Sequence, residues 1–159
     1  MDISPITNDL YISAKPDAAR ADELHGLNIG LIIDMRGDHR PKPVFMQPPF
    51  TMLWLPTFDL FFTPIRMETL EQGVRAALAT IAQGRRVLVH CQHGRHRSVA
   101  MAAAILIGQG YTAKDAMRLI RQKRRVADPN IWHIRRRIEM FEPYWAAHNG
   151  SPAAPHDAA

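Results

Sequence analysis

The runs "IGLII" at 29–33 and "VLV" at 87–89 are apolar at every position but one glycine, and neither is long enough for a helix. A strand buried on one face alternates polar and apolar residues, so runs without alternation predict strands covered on both faces. Around them the pattern changes to a helical period. Residues 17–28 carry leucine and alanine at helical spacing and end near glycine. Residues 65–83 place Leu70, Val74, Ala77, Leu78 and Ile81 on one face, with Pro64 before the first turn and Gly84 behind the last. Short buried strands alternating with helices predict an α/β fold, a single domain with a mostly parallel central sheet flanked by helices.

The remaining segments fit that architecture. "TMLWLP" (51–56) is a further strand candidate, and "DHRPKPVFMQPPF" (38–50), with four prolines and no period, predicts a loop. The small-residue stretch after Ser98 predicts a helix stopped by glycines. Thr112 is expected to cap the next helix with Asp115 as capping-box partner, and Asp128 the last, with Pro129 at its first position. A chain of 159 residues suits one domain, placed at 1–148, and the Pro/Ala-rich stretch 149–159 predicts a disordered tail.

A net charge of +5 favours anionic partners. The late basic runs "RLIRQKRR" and "IRRR" read as solvated helix faces, and neither finger spacing nor an aromatic-basic RNA signature accompanies them, so no nucleic-acid partner is expected. No stretch of about 18 uncharged apolar residues occurs, and "MDISPITNDLYIS" lacks the basic-then-apolar order of a signal peptide. The expected setting is cytoplasmic, without a transmembrane segment; oligomeric state is left open.

The single cysteine, Cys91, excludes an intramolecular disulfide and a Cys-rich zinc site, leaving a buried apolar residue or a reactive thiol. Its position decides between them. Residues 90–98 form the loop between a strand and a helix, the usual ligand site at the carboxyl end of a parallel sheet. Such a loop presents unpaired N–H groups and the positive end of a helix dipole, favouring anions. A thiolate there is stabilised, its pKa falling from roughly 8.5 by one to several units. Arg97, six positions on, can set a planar fork against two oxygens of one phosphate, Gly94 lets the amides curl inward, and Ser98 can donate to the sulfur. His90, His93 and His96 raise a zinc reading. Alternate positions of a phosphate cradle do not converge on one point, however, and no metal or cofactor is expected.

The stretch "HCQHGRHRS" (90–98) fits the HCxxGxxRS signature of the cysteine-dependent phosphatase superfamily, and "VLVHCQHGRHRSVAMAAAIL" resembles its dual-specificity branch. "LYIS", "IGLIIDMRGD", "WLPTFD", the helix before the loop and "ADPNIWHIRRRIEMFE" resemble successive family segments, so the resemblance spans most of the chain. It implies that Cys91 attacks phosphorus to form a phosphocysteine, while Arg97 and the loop Gln92, His93, Gly94, Arg95 and His96 hold the phosphate. Ser98 would stabilise the sulfur as a leaving group and His90 would orient the cysteine. Asp34 would serve local hydrogen bonding. His93, Arg95 and His96 would line the pocket rim and favour negative substrates. The resemblance also implies an aspartate general acid on a separate upstream loop. Asp59, 32 positions before Cys91, is the first choice, expected to stay protonated through desolvation by Phe58, Phe61 and Phe62; Asp38 is the substitute.

No dedicated phosphotyrosine-recognition loop is found. The implied pocket is shallow, fitting phosphotyrosine and phosphoserine or phosphothreonine in proteins. Phosphoinositides or other small phosphorylated molecules remain an alternative. So does an RNA 5′-phosphatase, whose relatives share a CxHGxxR loop but commonly lack the acid. A non-catalytic phosphate-binding module usually lacks the cysteine or arginine, and rhodanese-like sulfur transfer uses a shorter loop.

Overall fold

The computed structural model describes residues 1–149. Strands β1 (Ile3–Pro5), β2 (Leu10–Ser13), β3 (Ile29–Arg36), β4 (Thr51–Thr57) and β5 (Arg86–His90) form one sheet in the order β1-β2-β5-β3-β4. Only the edge strand β1 runs antiparallel to its neighbour. The helices are α1 (Ala21–Gly26), α2 (Met67–Ala82), α3 (Arg97–Gly108), α4 (Ala113–Lys123) and α5 (Trp132–Asn149).

The unbroken apolar runs have the cause expected of them. Leu31, Ile33, Met35, Val87 and Val89 face a large core shared with α2 to α5, whereas Ile29, Ile32 and Leu88 face a smaller one with Leu24 of α1, Phe45 and Phe50. Each such buried side chain contributes roughly 1.5–3 kcal/mol. The alanines of α3 are buried throughout, and their small volume lets this helix lie at the centre, against α2, α4 and α5. That places the start of α3 directly behind the end of β5, an inner strand between β2 and β3.

Several boundaries differ from expectation. The first helical segment is split into a 3₁₀ turn (Ala18–Arg20) and the six-residue α1, and the proline-rich loop holds one 3₁₀ turn at Pro43–Met46. Thr112 caps α4 by accepting from the Asp115 N–H at 3.1 Å, but the Asp115 carboxylate faces Arg118 at 3.5 Å. The last helix starts at Trp132 and not at Pro129, because the preceding segment is tied elsewhere: the Asp128 N–H donates to the Arg95 carbonyl at 3.0 Å. Asn149, the first residue of the expected tail, is the last described residue of α5, and 150–159 lie outside the described residues. Among the described residues no helix is long and apolar enough to cross a membrane.

Candidate active site

Residues 91–96 bridge β5 and α3. Gly94 has φ +61°, and a Cβ there would stand 2.6 Å from the Ser13 backbone, so both conformation and space demand glycine. Cys91 is 2% exposed at the mouth of this turn, with Sγ 3.3 Å from Ser98 Oγ. Burial alone would raise its pKa. Hydrogen bonds from the Ser98 hydroxyl and from the Ser98 and Arg95 amides, with the Arg97 charge, outweigh that and hold the thiol below its ordinary value.

Arg97 opens α3 and is buried. Its Nη1 donates to the carbonyls of Thr57 (2.8 Å) and Met35 (3.4 Å), which fixes the guanidinium against the ends of β4 and β3. Its Nε is buried without a protein partner, and the side chain lines the same pocket as Cys91, His93, Arg95 and Asp59. The fork is thus anchored on one side and has a donor left over.

A residue that sequence reading missed supports the loop from behind. Arg124, just past α4 in the run read as a solvated helix face, is 2% exposed. Its Nε donates to the Gly94 carbonyl at 2.7 Å, Nη2 to the His93 carbonyl at 3.3 Å, and the guanidinium pairs with Asp2 at 2.8–2.9 Å. With these carbonyls drawn away, the loop amides are left to face the pocket. Arg135 and Arg136 of the other basic run are exposed, as read. Of the remaining loop residues, Gln92 is bonded through its carbonyl to the Lys15 N–H at 3.3 Å, and Arg95 is half-exposed, 3.9 Å from Asp128.

Asp59 sits on the loop after β4 and does reach the pocket, but its surroundings are more polar than expected. Phe58, Phe61 and Phe62 are themselves exposed by 52–66%. Oδ2 lies 2.6 Å from His96 Nδ1, and Oδ1 lies 3.4 Å from Nε2 of His133 on α5. Partial burial pushes the pKa up, but the His96 hydrogen bond and charge, with His133 and Arg97, prevail and leave it below the usual carboxylate value. His96 therefore holds the aspartate rather than standing free at the rim. Asp38 is engaged by Arg36 at 2.9 Å and by His39 at 2.7 Å, which keep it strongly ionised and outside the pocket lining.

Asp34 and His90 lie side by side at the ends of β3 and β5. Asp34 Oδ1 accepts the Arg36 N–H at 2.9 Å, and the His90 Nε2 is 3.6 Å from its other oxygen. Burial pushes Asp34 up to about 6 and His90 down to about 4, so at neutral pH this is a carboxylate beside a neutral ring and not an ion pair. His90 Nδ1 faces the Cys91 carbonyl at 3.5 Å and not the sulfur. His90 faces Asp34 and the Cys91 carbonyl while His96 faces Asp59, and among the described residues no cluster of three or more His, Cys, Asp or Glu could hold a metal ion. The raised Asp34 value has a measurable consequence. A carboxyl favoured in its protonated form by folding stabilises the protein at low pH and loses that contribution as pH rises to about 6. An asparagine side chain at this position would accept the same N–H without that loss, worth on the order of 2–3 kcal/mol. Thermal melts of Asp34→Asn should match wild type near pH 4 and exceed it by several degrees at pH 7.5; equal melting at both values would show that Asp34 is not penalised by burial.

Comparison with known proteins agrees with this geometry. The dual specificity phosphatase catalytic domain matches residues 10–142. Dual specificity protein phosphatase 1 of Arabidopsis thaliana is 44% identical over 133 residues, covering 83% of this chain and 65% of that protein. Human dual specificity phosphatase 28 is 25% identical over 152 residues, covering 94% and 84%. The crystal structure of PTPMT1 in complex with PI(5)P shares the fold, with a TM-score of 0.82 and 22% identity over 93% of this chain and 99% of that one.

Proposed function

The chain belongs to the dual specificity phosphatase family of cysteine-dependent phosphatases, and from that premise we propose that it hydrolyses phosphotyrosine and phosphoserine or phosphothreonine in proteins through a phosphocysteine on Cys91. The observation that carries this reading is the convergence of Cys91, Arg97 and Asp59 on one pocket. The thiolate attacks phosphorus, and the inward amides and the free edge of Arg97 take the phosphoryl oxygens as charge shifts onto them. Asp59 protonates the departing oxygen, and in the second half-reaction takes a proton from the attacking water. Ser98 donates to the sulfur when it leaves. Asp34, His90 and Arg124 act by holding the strand ends and the loop.

The loop bearing Asp59 and the start of α5 together carry an aromatic rim. Phe61, Phe62 and Trp132 are each at least 60% exposed, with the Phe61 and Trp132 rings 6.1 Å apart. Such a rim supports a peptide-borne substrate whose neighbouring apolar groups rest on the rings, as does the net charge of +5 for an acidic phosphopeptide. A thiolate nucleophile suits a reducing cytoplasm. Turnover on a panel of phosphotyrosine peptide, phosphothreonine peptide, phosphoinositide vesicles and 5′-triphosphorylated RNA tests the assignment. The phosphopeptides should give the highest kcat/KM. A lipid or RNA substrate exceeding both peptides tenfold or more would replace it.

A further inference from the structure

Resting on the reading of Asp59 as general acid, we propose that Asp59 and His96 act as one acid, sharing a single proton, with His96 as the positioning and proton-storing partner of the aspartate. The Nδ1–Oδ2 distance of 2.6 Å is short even for a charge-assisted N–H···O hydrogen bond, which couples the two groups closely. Among the described residues this is the only hydrogen bond the His96 ring makes, for its Nε2 is buried without a partner. His133 repeats the arrangement from α5: Nε2 faces the other carboxylate oxygen at 3.4 Å, and Nδ1 is buried and unpartnered. The two rings meet edge to face, 6.2 Å between centroids, so the carboxylate is held between them.

An aspartate so placed is a poor acid alone, because its neighbours favour the carboxylate. The pair is a good one. When the Cys91 sulfur forms its bond to phosphorus and the P–O ester bond breaks, the leaving oxygen takes the electron pair of that bond. It also takes the shared proton, which passes from His96 Nδ1 through the Asp59 carboxyl. A carboxylate, a neutral ring and the alcohol or phenol product remain. In hydrolysis, water attacks phosphorus, its proton goes through Asp59 back to His96, and the Cys91 thiolate departs with the S–P electrons. Both half-reactions balance, and the pair ends as it began. The groups around it are Cys91, His93, Arg95 and Arg97 of the loop and its helix, Asp2 across the pocket, and His133 of α5.

A coupled pair titrates as a unit. Reference imidazolium and carboxylic acid values lie roughly 2.5 units apart, so the alkaline limb of the rate distinguishes a shared proton from one held by the aspartate alone. His96→Asn preserves a neutral donor toward Asp59 and removes the stored proton. With an alkyl phosphate, the alkaline limb of its kcat/KM profile should move toward acid by about one unit or more, lowering the rate at pH 7.5 about tenfold or more, and the loss should be smaller with p-nitrophenyl phosphate. In the wild-type protein, the ¹⁵N signals of the His96 ring should report loss of its proton over the same pH interval as the alkaline limb. An unmoved limb in His96→Asn, or a ring already neutral across the rate plateau, overturns the shared acid. Asp59→Asn separates the two readings: if it loses the leaving-group dependence while His96→Asn keeps the wild-type limb, Asp59 stands as the acid and the pairing falls; if it keeps that dependence, the assignment of Asp59 falls first.

Discussion

Cys91→Ser is expected to lower phosphomonoester turnover by roughly 10⁴-fold or more while leaving orthovanadate or phosphate binding within a few-fold of wild type. The Cys91 sulfur is held below its ordinary pKa by the Ser98 hydroxyl, two loop amides and Arg97 against an opposing burial effect, which favours the attacking thiolate. A serine hydroxyl in the same place keeps its proton, and among the described residues no hydrogen bond joins an imidazole to the side chain at position 91: His90 faces the backbone carbonyl of that residue, and His96 is committed to Asp59. The loop, by contrast, is shaped by Gly94, by Arg124 and by the Thr57 and Met35 carbonyls on Arg97, none of which depends on sulfur. Binding and chemistry should therefore separate in this variant. Rapid acid quench with a ³²P-labelled substrate should trap label on the wild-type protein and none on the variant. Residual turnover above a few per cent, or equal labelling of both, would dismiss the covalent route.

The contrast between what the sequence revealed and what it hid follows from contact range. Cys91, Gly94, Arg97 and Ser98 lie within one turn and one helix start, where local backbone geometry brings them together, and their spacing alone was enough to read them. The buried runs of β3 and β5 were legible for a similar reason, since a strand covered on both faces has no polar alternation. Arg124 and His133 were not legible, because each acts on a partner far along the chain. The first sits in a run of five basic or polar residues, where nothing distinguishes the one that turns inward to the Gly94 carbonyl. The second precedes "IRRR" on a helix that starts three residues later than expected, and it is core packing of α5 together with the Asp128 to Arg95 bond between loops that sets how α5 presents it to Asp59. The surroundings of Asp59 were hidden on the same account. Neighbours in sequence, the phenylalanines, suggested a dry environment; neighbours in space, two imidazoles, supply a polar one.

Asp59→Asn is expected to slow hydrolysis of phosphoserine or alkyl phosphates by roughly 10²-fold or more, and that of p-nitrophenyl phosphate far less. The difference arises because an alkoxide must be protonated as it leaves, whereas nitrophenolate leaves unaided. Asparagine fits the same space and can still hydrogen-bond to His96, so the loop after β4 should keep its place and the loss should fall on kcat more than on KM. The pH profile gives the sign. A general acid works only while it holds its proton, so wild-type activity toward alkyl phosphates should decline as pH rises through the titration of the acid, and the variant should show no such decline. The acid limb, set by the Cys91 thiol and the substrate, should remain in both. Asp38 offers the alternative, but its carboxylate is held by Arg36 at 2.9 Å and His39 at 2.7 Å and does not line the pocket that Cys91 shares with Asp59. Should the alkaline limb survive in Asp59→Asn and disappear in Asp38→Asn, the loop bearing Asp38 would have to move over the pocket during turnover. Should neither substitution alter leaving-group dependence, hydrolysis proceeds without a general acid, and the RNA 5′-phosphatase reading gains at the expense of the protein phosphatase.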